Sequence, residues 1–251
     1  MKGAEQTGFK SEGEEKMSKA ASPRLTARLA GLLYLTIMLA AAFGEIVVRG
    51  ALIVRNDAEA TARNILAHEQ LFRLGGGADI LTFACDIALA ALFYVLLKPA
   101  GRTTSLVAAY FRLAYGAIVG VVSLTHFAPL LFLKSEALSG FTRPQLETLA
   151  YLSLRLHNTG YNIALIFFGV HLVLLGWLVA RSRFLPALIG VLLGIAGVCY
   201  VINSVLNLIF PALSLAPYIL LPGLFGEGGL TLWLLLIGLN PAKWEERASA
   251  A

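Results

Sequence analysis

Charged residues are scarce in this sequence, at 14% of the chain, whereas hydrophobic residues make up 58% of the 251 positions. Soluble globular domains carry about 25% charged residues, which cover a surface in contact with water. So few charges, together with a mean hydropathy of +0.76, exclude a soluble globule and predict an integral membrane protein.

Cysteine is nearly absent. The two cysteines, Cys85 and Cys199, both fall inside apolar runs. A thiol in such a run is usually a small buried residue. We therefore interpret both as core residues and expect no reactive thiol.

Histidine is also rare, with four residues in the chain. His157 and His171 lie close to four helical turns apart, a spacing similar to that of the helices of di-haem cytochromes b. Those proteins need a matching pair on a second helix, and the remaining His68 and His126 do not supply one. We therefore predict no haem.

Six apolar runs are long enough to cross a hydrocarbon core, which needs about 20 residues at a rise of about 1.5 Å each. The predicted fold is all-α: a polytopic membrane helical bundle of six transmembrane helices within residues 24–240. The spans lie near 28–48, 74–97, 104–133, 148–180, 184–210 and 217–239. Residues 1–23 are polar and mixed in charge, which predicts a disordered cytoplasmic tail. Residues 241–251 are predicted to form a second cytoplasmic tail.

The basic residues are scattered between the apolar runs, so the net charge of +5 indicates membrane topology and no nucleic-acid partner is expected. With six spans, both termini lie on one side. If that side is the cytoplasm, twelve of the 20 Lys and Arg residues lie inside, six lie outside, and Arg112 and Arg155 lie within spans. Segments 98–102 and 181–183 are basic, whereas 211–216 carries no charge. This asymmetry predicts cytoplasmic termini.

The first outer loop is the longest, and its start resembles a helix cap. Asn56 is followed three residues later by Glu59, as in a capping box. Apolar residues then recur at helical spacing from Ala58 to Phe72. We predict a short helix that lies on the outer interface or caps the bundle.

Several short patterns in the first half of the chain resemble those of a known family. They are Arg28–Tyr34, Glu45 with Arg49, Asp57-Ala58, Thr61-Ala62, Asn64-Ile65, Leu71–Arg73 and Tyr94–Leu97. From about residue 24 to residue 239 the chain resembles a bacterial family of six-span membrane proteins catalogued only as a domain of unknown function (four-three-eight-six in that series). The resemblance implies a multi-pass fold in the bacterial cytoplasmic (inner) membrane. It implies no activity, cofactor or site residue.

Two ionisable residues are predicted to lie at the same depth. At about 1.5 Å per residue, Asp86 lies about 18 Å from the outer end of the second span and Arg112 about 12 Å from the inner end of the third. In a core about 30 Å thick these depths coincide. A short turn makes the two spans neighbours, so we predict an ion pair that either locks the helices or handles a ligand or proton. Glu227, among glycines in the sixth span, is predicted to share Arg112 as its cation.

A second polar group gathers in the outer third of the bundle. Its members come from several predicted spans, and helical spacing puts pairs of them on one face. The predicted ligand-binding residues are Glu45, Arg49, Asp79, Arg155, His157, Asn158, Asn162 and Asn203. They form either a water-accessible pocket open to the outside or an interhelical hydrogen-bond network with interfacial side chains that reach water.

A zinc site can be drawn from the same region. His68, His126 and His157 can all approach the outer face, with Asp79 or Glu45 as a fourth ligand. No compact ligand spacing supports such a site. We therefore predict no metal and no other cofactor.

The sequence leaves three functions open. The first is a binding or carrier protein for a small polar or amphipathic molecule reached from the outside, with membrane lipids as the other partners. The second is an intramembrane enzyme acting on a lipid-like substrate, with His157 as general base and Glu45 or Asp79 as orienting acid. The third is a structural or partner-binding protein, which a bundle interior without a cavity near Arg155 to Asn162 would favour. The oligomeric state stays open.

Overall fold

The computed structural model describes residues 22–210, 213 and 218–250 of the chain. The predicted tail over residues 1–23 and the predicted uncharged loop over 211–216 therefore lie almost entirely outside the described residues. Every regular element within the described ranges is helical. This confirms the prediction of an all-α membrane bundle.

Six helices in the described part of the chain are long and apolar enough to cross a membrane. Two shorter helices accompany them. In chain order the eight helices are α1 Pro23–Leu52, α2 Ala58–Ala67, α3 Glu69–Leu97, α4 Arg102–Lys134, α5 Arg143–Ser182, α6 Ala187–Ile209, α7 Tyr218–Leu236 and α8 Pro241–Ser249. The connections 53–57 and 135–142 lie at one end of the bundle, which we call the loop side. Ser22 and α8 lie at the other end, the terminal side.

The six long helices pack in a ring. Each contacts the next in the order α1, α3, α4, α5, α6 and α7, and α7 returns to contact α1. Apolar residues such as Leu89, Leu172 and Leu175 are fully buried between them. Large apolar side chains such as Ile46 and Leu124 point outward and are about 70% exposed, at 72% and 71%. These outward faces suit contact with acyl chains, because a helix satisfies its own backbone hydrogen bonds in lipid.

Helix α2 caps the loop side of the bundle. It packs mainly against α5 and also touches α4, and its Ile65 is fully buried together with Phe72 of α3. The N-cap is Asp57 and not the predicted Asn56: the Asp57 carboxylate accepts a 2.8 Å hydrogen bond from the Ala60 amide. Asn56 has a φ of 60° and its amide donates to the Tyr151 hydroxyl at 2.8 Å. Asn tolerates this left-handed conformation, so Asn56 makes the turn that precedes the cap.

Loss of the α2 cap is expected to weaken this end of the bundle. Asp57→Ala removes the acceptor of the Ala60 amide and should lower the free energy of unfolding by about 1 kcal/mol. Thermal unfolding in detergent micelles measures the change. Glu59→Gln, in the first turn of the same helix, is the control and should have the smaller effect. A larger loss for Glu59→Gln than for Asp57→Ala would contradict the assignment of the cap.

The C-terminal residues form a short helix that packs against the terminal side of the bundle. The predicted cytoplasmic tail over residues 241–251 contains α8, whose start is capped by the Asn240 side chain at 3.2 Å from the Lys243 amide. The Trp244 indole donates a 2.8 Å hydrogen bond to the Leu96 carbonyl at the end of α3. This bond fixes α8 against the bundle.

Candidate functional site

Arg49 is the centre of a buried polar cluster near the loop side. Its guanidinium donates two hydrogen bonds to the Asp79 carboxylate, at 2.8 and 3.0 Å. It also lies 3.0 Å from a Glu45 oxygen. The Arg49 side chain is 8% exposed and that of Glu45 is 45% exposed. Arg49 therefore joins two carboxylates: it forms a buried bidentate pair with Asp79, and it also contacts Glu45, whose side chain reaches the surface.

The local structure of α1 positions Glu45 and Arg49. Residues Phe43–Arg49 form a π-helical segment, in which each turn holds an extra residue. Gly44 leaves room for the guanidinium, because a Cβ atom there would lie 2.9 Å from Nη2 of Arg49. π-helical segments are frequent at functional sites. In the sequence, this arrangement is indicated by Gly44 and by the four-residue spacing of Glu45 and Arg49.

Two histidines border the same carboxylate. His126 Nε2 lies 2.8 Å from the Phe72 carbonyl, and His157 Nδ1 lies 3.2 Å from the Val122 carbonyl. A carbonyl only accepts, so each of these nitrogens carries the proton. The other nitrogen of each ring turns to the cluster: His126 Nδ1 lies 3.3 Å from Arg49 Nη1, and His157 Nε2 lies 3.8 Å from Asp79 Oδ2.

A cavity of about 320 Å³ adjoins this cluster on the loop side. Its walls combine charged, amide and apolar groups from α1, α5 and the residues that follow α1. The lining residues are Glu45, Arg49, Gly50, Ile53, Arg55, Tyr151, Leu154, Arg155, His157 and Asn158. Five of the eight predicted ligand-binding residues therefore line one cavity. Asp79 does not line it but is hydrogen-bonded to Arg49, which does.

Asn162 and Asn203 do not line this cavity. The Asn162 amide donates to the Asn158 carbonyl at 2.9 Å and accepts from Asn207 at 3.2 Å, which ties α5 to α6. Asn203 is buried, with 3% exposure. Asn162 therefore faces α6, because of the rotation of α5 about its axis. For Asn162 the interhelical network fits the structure better than a pocket, whereas the Asn203 side-chain oxygen is buried without a hydrogen-bond partner among the described residues.

Sequence comparison relates the chain to known proteins. The profile of a domain of unknown function, DUF4386, matches residues 29–238. The chain belongs to the DUF4386 family. One similar relative is an uncharacterized protein of Archaeoglobus fulgidus (strain ATCC 49558 / DSM 4304 / JCM 9628 / NBRC 100126 / VC-16), 32% identical over 158 residues, which are 63% of this chain and 80% of the relative. No solved structure matches the chain.

This DUF4386 protein holds a second polar group deeper in the bundle. Arg112 Nη2 and Asp86 Oδ1 lie 2.6 Å apart, with side-chain exposures of 0% and 1%. The contact is an ion pair whose angles fall outside those of a hydrogen bond. Arg112 Nη1 also lies 3.1 Å from His171 Nε2, and the guanidinium lies over the Tyr34 ring at 4.9 Å from its centre. The pair joins α3 to α4, as the depth argument predicts.

Glu227 does not pair with Arg112. Its carboxylate accepts hydrogen bonds from the Tyr34 and Tyr200 hydroxyls, at 2.8 and 2.9 Å. Tyr34 contacts both charged groups and so lies between them. Two neutral hydroxyl donors therefore take the place of the expected cation, and the prediction that Glu227 shares Arg112 is wrong. The sequence does not reveal these donors, because an uncharged tyrosine in an apolar run looks like an ordinary core residue.

The sequence also gives no direct signal for Arg55 and Tyr151. Arg55 lies in the five-residue connection between α1 and α2, where a basic residue is usually read as a topology signal. Tyr151 lies one turn before Arg155 on α5 and looks like an interfacial aromatic residue. In the structure the Asn56 amide donates to the Tyr151 hydroxyl, and both Arg55 and Tyr151 line the cavity.

Proposed function

We propose that this DUF4386 protein is a binding or carrier protein for a small amphipathic anion, which enters the 320 Å³ cavity from the outer side of the membrane. The observation that carries the proposal is the cavity itself, because charged and apolar walls meet in it. Ile53 and Leu154 supply apolar surface, whereas Arg55, Arg155 and Asn158 supply donors. Pockets with apolar walls and a few convergent polar groups are typical ligand sites.

The charge of the cavity favours an anion. Arg49 is matched by Glu45 and Asp79. Arg55 and Arg155 have no acidic partner among residues 22–210, 213 and 218–250. An arginine fork binds carboxylate or phosphate with two parallel hydrogen bonds. A ligand with such a head and an apolar body matches both kinds of wall.

The proposed orientation follows from the basic residues. Segments 98–102 and 181–183, which are basic, lie on the terminal side. Positive loops stay in the cytoplasm, so the terminal side faces in and the loop side faces out. In the bacterial inner membrane this orientation opens the cavity to the periplasmic side, and membrane lipids cover the apolar faces of the ring.

Binding of a fluorescent amphipathic anion tests the proposal. Dansyl-undecanoic acid, titrated into the full chain in a non-ionic detergent, is expected to bind saturably. Arg155→Gln should raise its dissociation constant about tenfold, because a hydrogen bond to a charged group contributes about 1.5–3 kcal/mol. The methyl ester of the probe should bind more weakly than the acid to the unaltered protein. This difference in affinity between acid and ester should be smaller in the Arg155→Gln variant, which keeps Arg55.

The matched control is Arg143→Gln. Arg143 lies on the same helix and at the same end of the bundle, but it pairs with Glu147 at 2.8 Å and does not line the cavity. Its replacement should leave probe binding unchanged. Equal binding of acid and ester, or equal effects of the two arginine variants, would contradict an anion site at Arg155.

A second candidate function is an enzyme acting on a lipid-like substrate, which the unpartnered His157 Nε2 atom and the position of His157 in the cavity wall favour. In this role His157 Nε2 is the general base, and the Nδ1–H donated to the Val122 carbonyl orients the ring in place of the predicted Asp79 or Glu45. Mass spectrometry of phospholipids incubated with the protein distinguishes the two functions. A protein-dependent product that His157→Gln abolishes would favour the enzyme, and lipids of unchanged mass would favour the binding protein.

A further inference from the structure

Nitrogen and oxygen atoms that could bind a metal ion cluster around Asp79. Asp79, His126 and His157 can each offer one ligand atom, and these atoms all lie within 4.8 Å of one another. The three residues come from α3, α4 and α5, so the site exists only in the folded ring. All three side chains are buried, with exposures of 5%, 0% and 3%.

The two imidazoles are oriented as metal ligands are. Each donates the N–H of one nitrogen to a backbone carbonyl, that of Phe72 for His126 and that of Val122 for His157. Such a bond fixes the tautomer and aims the lone pair of the other nitrogen, which is the usual arrangement around a metal-bound histidine. His126 Nδ1 and His157 Nε2 are the unprotonated nitrogens whose lone pairs remain to bind a metal ion.

His157 Nε2 supplies an independent observation. This atom is buried and has no hydrogen-bond partner among the described residues. A buried polar atom without a partner costs about 1–3 kcal/mol. The uncompensated lone pair points to a ligand that accepts electron density, and Asp79 Oδ2 at 3.8 Å cannot serve because it is itself an acceptor.

We propose that Asp79, His126 and His157 bind one divalent transition-metal ion of the zinc class beside the cavity of the loop side. Two imidazoles and one carboxylate are a ligand set that zinc and its neighbours prefer, and that magnesium and calcium do not. Three protein ligands leave one position of a tetrahedral ion open. The ion would occupy the space that the Arg49 guanidinium now shares with the three ligands.

Arg49 is the competitor for this space. Its Nη1 atom lies 2.8 Å from Asp79 Oδ2 and 3.3 Å from His126 Nδ1, near the point where an ion would bind. Tetrahedral zinc ligands at about 2.0–2.1 Å from the metal lie about 3.3 Å from one another, so ligand atoms now separated by up to 4.8 Å have to close by up to about 1.5 Å as the guanidinium withdraws. Glu45, 3.0 Å from Nη2, keeps the arginine paired when it withdraws.

The local charge allows a divalent ion to replace the Arg49 guanidinium between the three ligands. With neutral imidazoles, Glu45, Asp79 and Arg49 carry a net charge of −1, so a divalent ion brings the cluster to +1. One hydroxide or one anionic ligand at the open position then neutralises it. The metal site goes beyond the proposed anion site, and it is measured without any organic ligand, so either proposal can fail alone.

The test is the zinc content of the full chain, purified in detergent without a polyhistidine tag. The protein is stripped with a chelator, incubated with Zn²⁺, desalted and measured by inductively coupled plasma mass spectrometry. The unaltered protein is expected to retain about one ion per chain, and His157→Gln and His126→Gln should each lower zinc affinity by more than about tenfold. Zinc at background in the unaltered protein would overturn the proposal.

His171→Gln is the matched control. His171 is also buried, donates from Nδ1 to the Ala108 carbonyl at 2.8 Å and contacts an arginine through Nε2. No carboxylate and second histidine converge on it in the described part of the chain. His171→Gln should therefore retain the ion, as should His68→Gln on the exposed surface. Equal zinc loss in His171→Gln and His157→Gln would also overturn the proposal.

Two further measurements keep the test decisive where the histidine variants fail to fold. X-ray absorption of the zinc-loaded, unaltered protein should show two imidazoles and one oxygen ligand, and a shell of oxygen alone would contradict the site. Arg49→Gln leaves the two carboxylates without their cation, so Zn²⁺ but not Mg²⁺ should raise its melting temperature. Rescue by both ions, or by neither, would contradict a site of the zinc class.

Discussion

Replacing Arg112 by glutamine is expected to lower the free energy of unfolding by about 3–5 kcal/mol, because it leaves a buried carboxylate without its cation. Arg112 is fully buried and Asp86 is 1% exposed, with 2.6 Å between their charged atoms. Neither group has access to water that could replace the partner. The loss is measured by equilibrium unfolding in mixed micelles.

A double-mutant cycle isolates the pair. Asp86→Asn combined with Arg112→Gln should recover part of the sum of the single losses, because no unpaired charge is then buried. Arg63→Gln is the control: its ion pair with Glu59 is 67% and 74% exposed and should contribute little. Additive losses in the cycle would mean that Asp86 and Arg112 carry no pairing energy.

Replacing Gly176 by valine is expected to cost about 3 kcal/mol or more, because it forces apart two helix backbones. A Cβ atom at Gly176 on α5 would lie 2.6 Å from the Gly194 amide nitrogen on α6. Gly169 meets α6 in the same way, 2.6 Å from the Gly197 carbonyl oxygen. Small residues at such positions let transmembrane helices pack closely.

The controls for this prediction lie within the same structure. A Cβ atom at Gly194 or Gly77 meets no other atom within 4 Å. Gly77→Ala should leave stability unchanged or raise it by up to about 1 kcal/mol, because alanine favours a helix over glycine. Gly194→Ala should be equally mild. A Gly176→Val protein as stable as these variants would show that the α5–α6 contact is not close-packed.

The two predictions concern different parts of one bundle. Arg112 and Gly176 stabilise the core, whereas Arg155, His157 and Asp79 form the candidate site near the loop side. The cavity there has charged side chains and a buried, unpartnered imidazole nitrogen. Binding sites keep such groups at a cost in stability. Arg155 lines the cavity and has no acidic partner in the described part of the chain, so its replacement is expected to change binding more than folding.

The sequence by itself determined the six apolar helices, since length and hydropathy decide whether a segment can cross a membrane. It also placed Asp86 and Arg112 at one level, because a short turn and the fixed rise of a helix set their depths. The same counting brought Glu45, Arg49, Asp79 and His157 to one end of the bundle. Each of these inferences uses distance along a helix axis, which the sequence fixes.

Only the tertiary structure decided which way the side chains face. Asn162 lies at the right depth but turns to α6, Asn203 is buried away from the cavity lining, and Glu227 meets two tyrosines instead of Arg112. The rotation of a helix about its axis depends on packing with its neighbours, and the π-helical segment at Phe43–Arg49 shifts the faces of α1 further. The positions of His126, His157 and Asp79 along their helices place them at one end of the bundle, but only the packing of three helices in the ring brings the two imidazoles to the carboxylate.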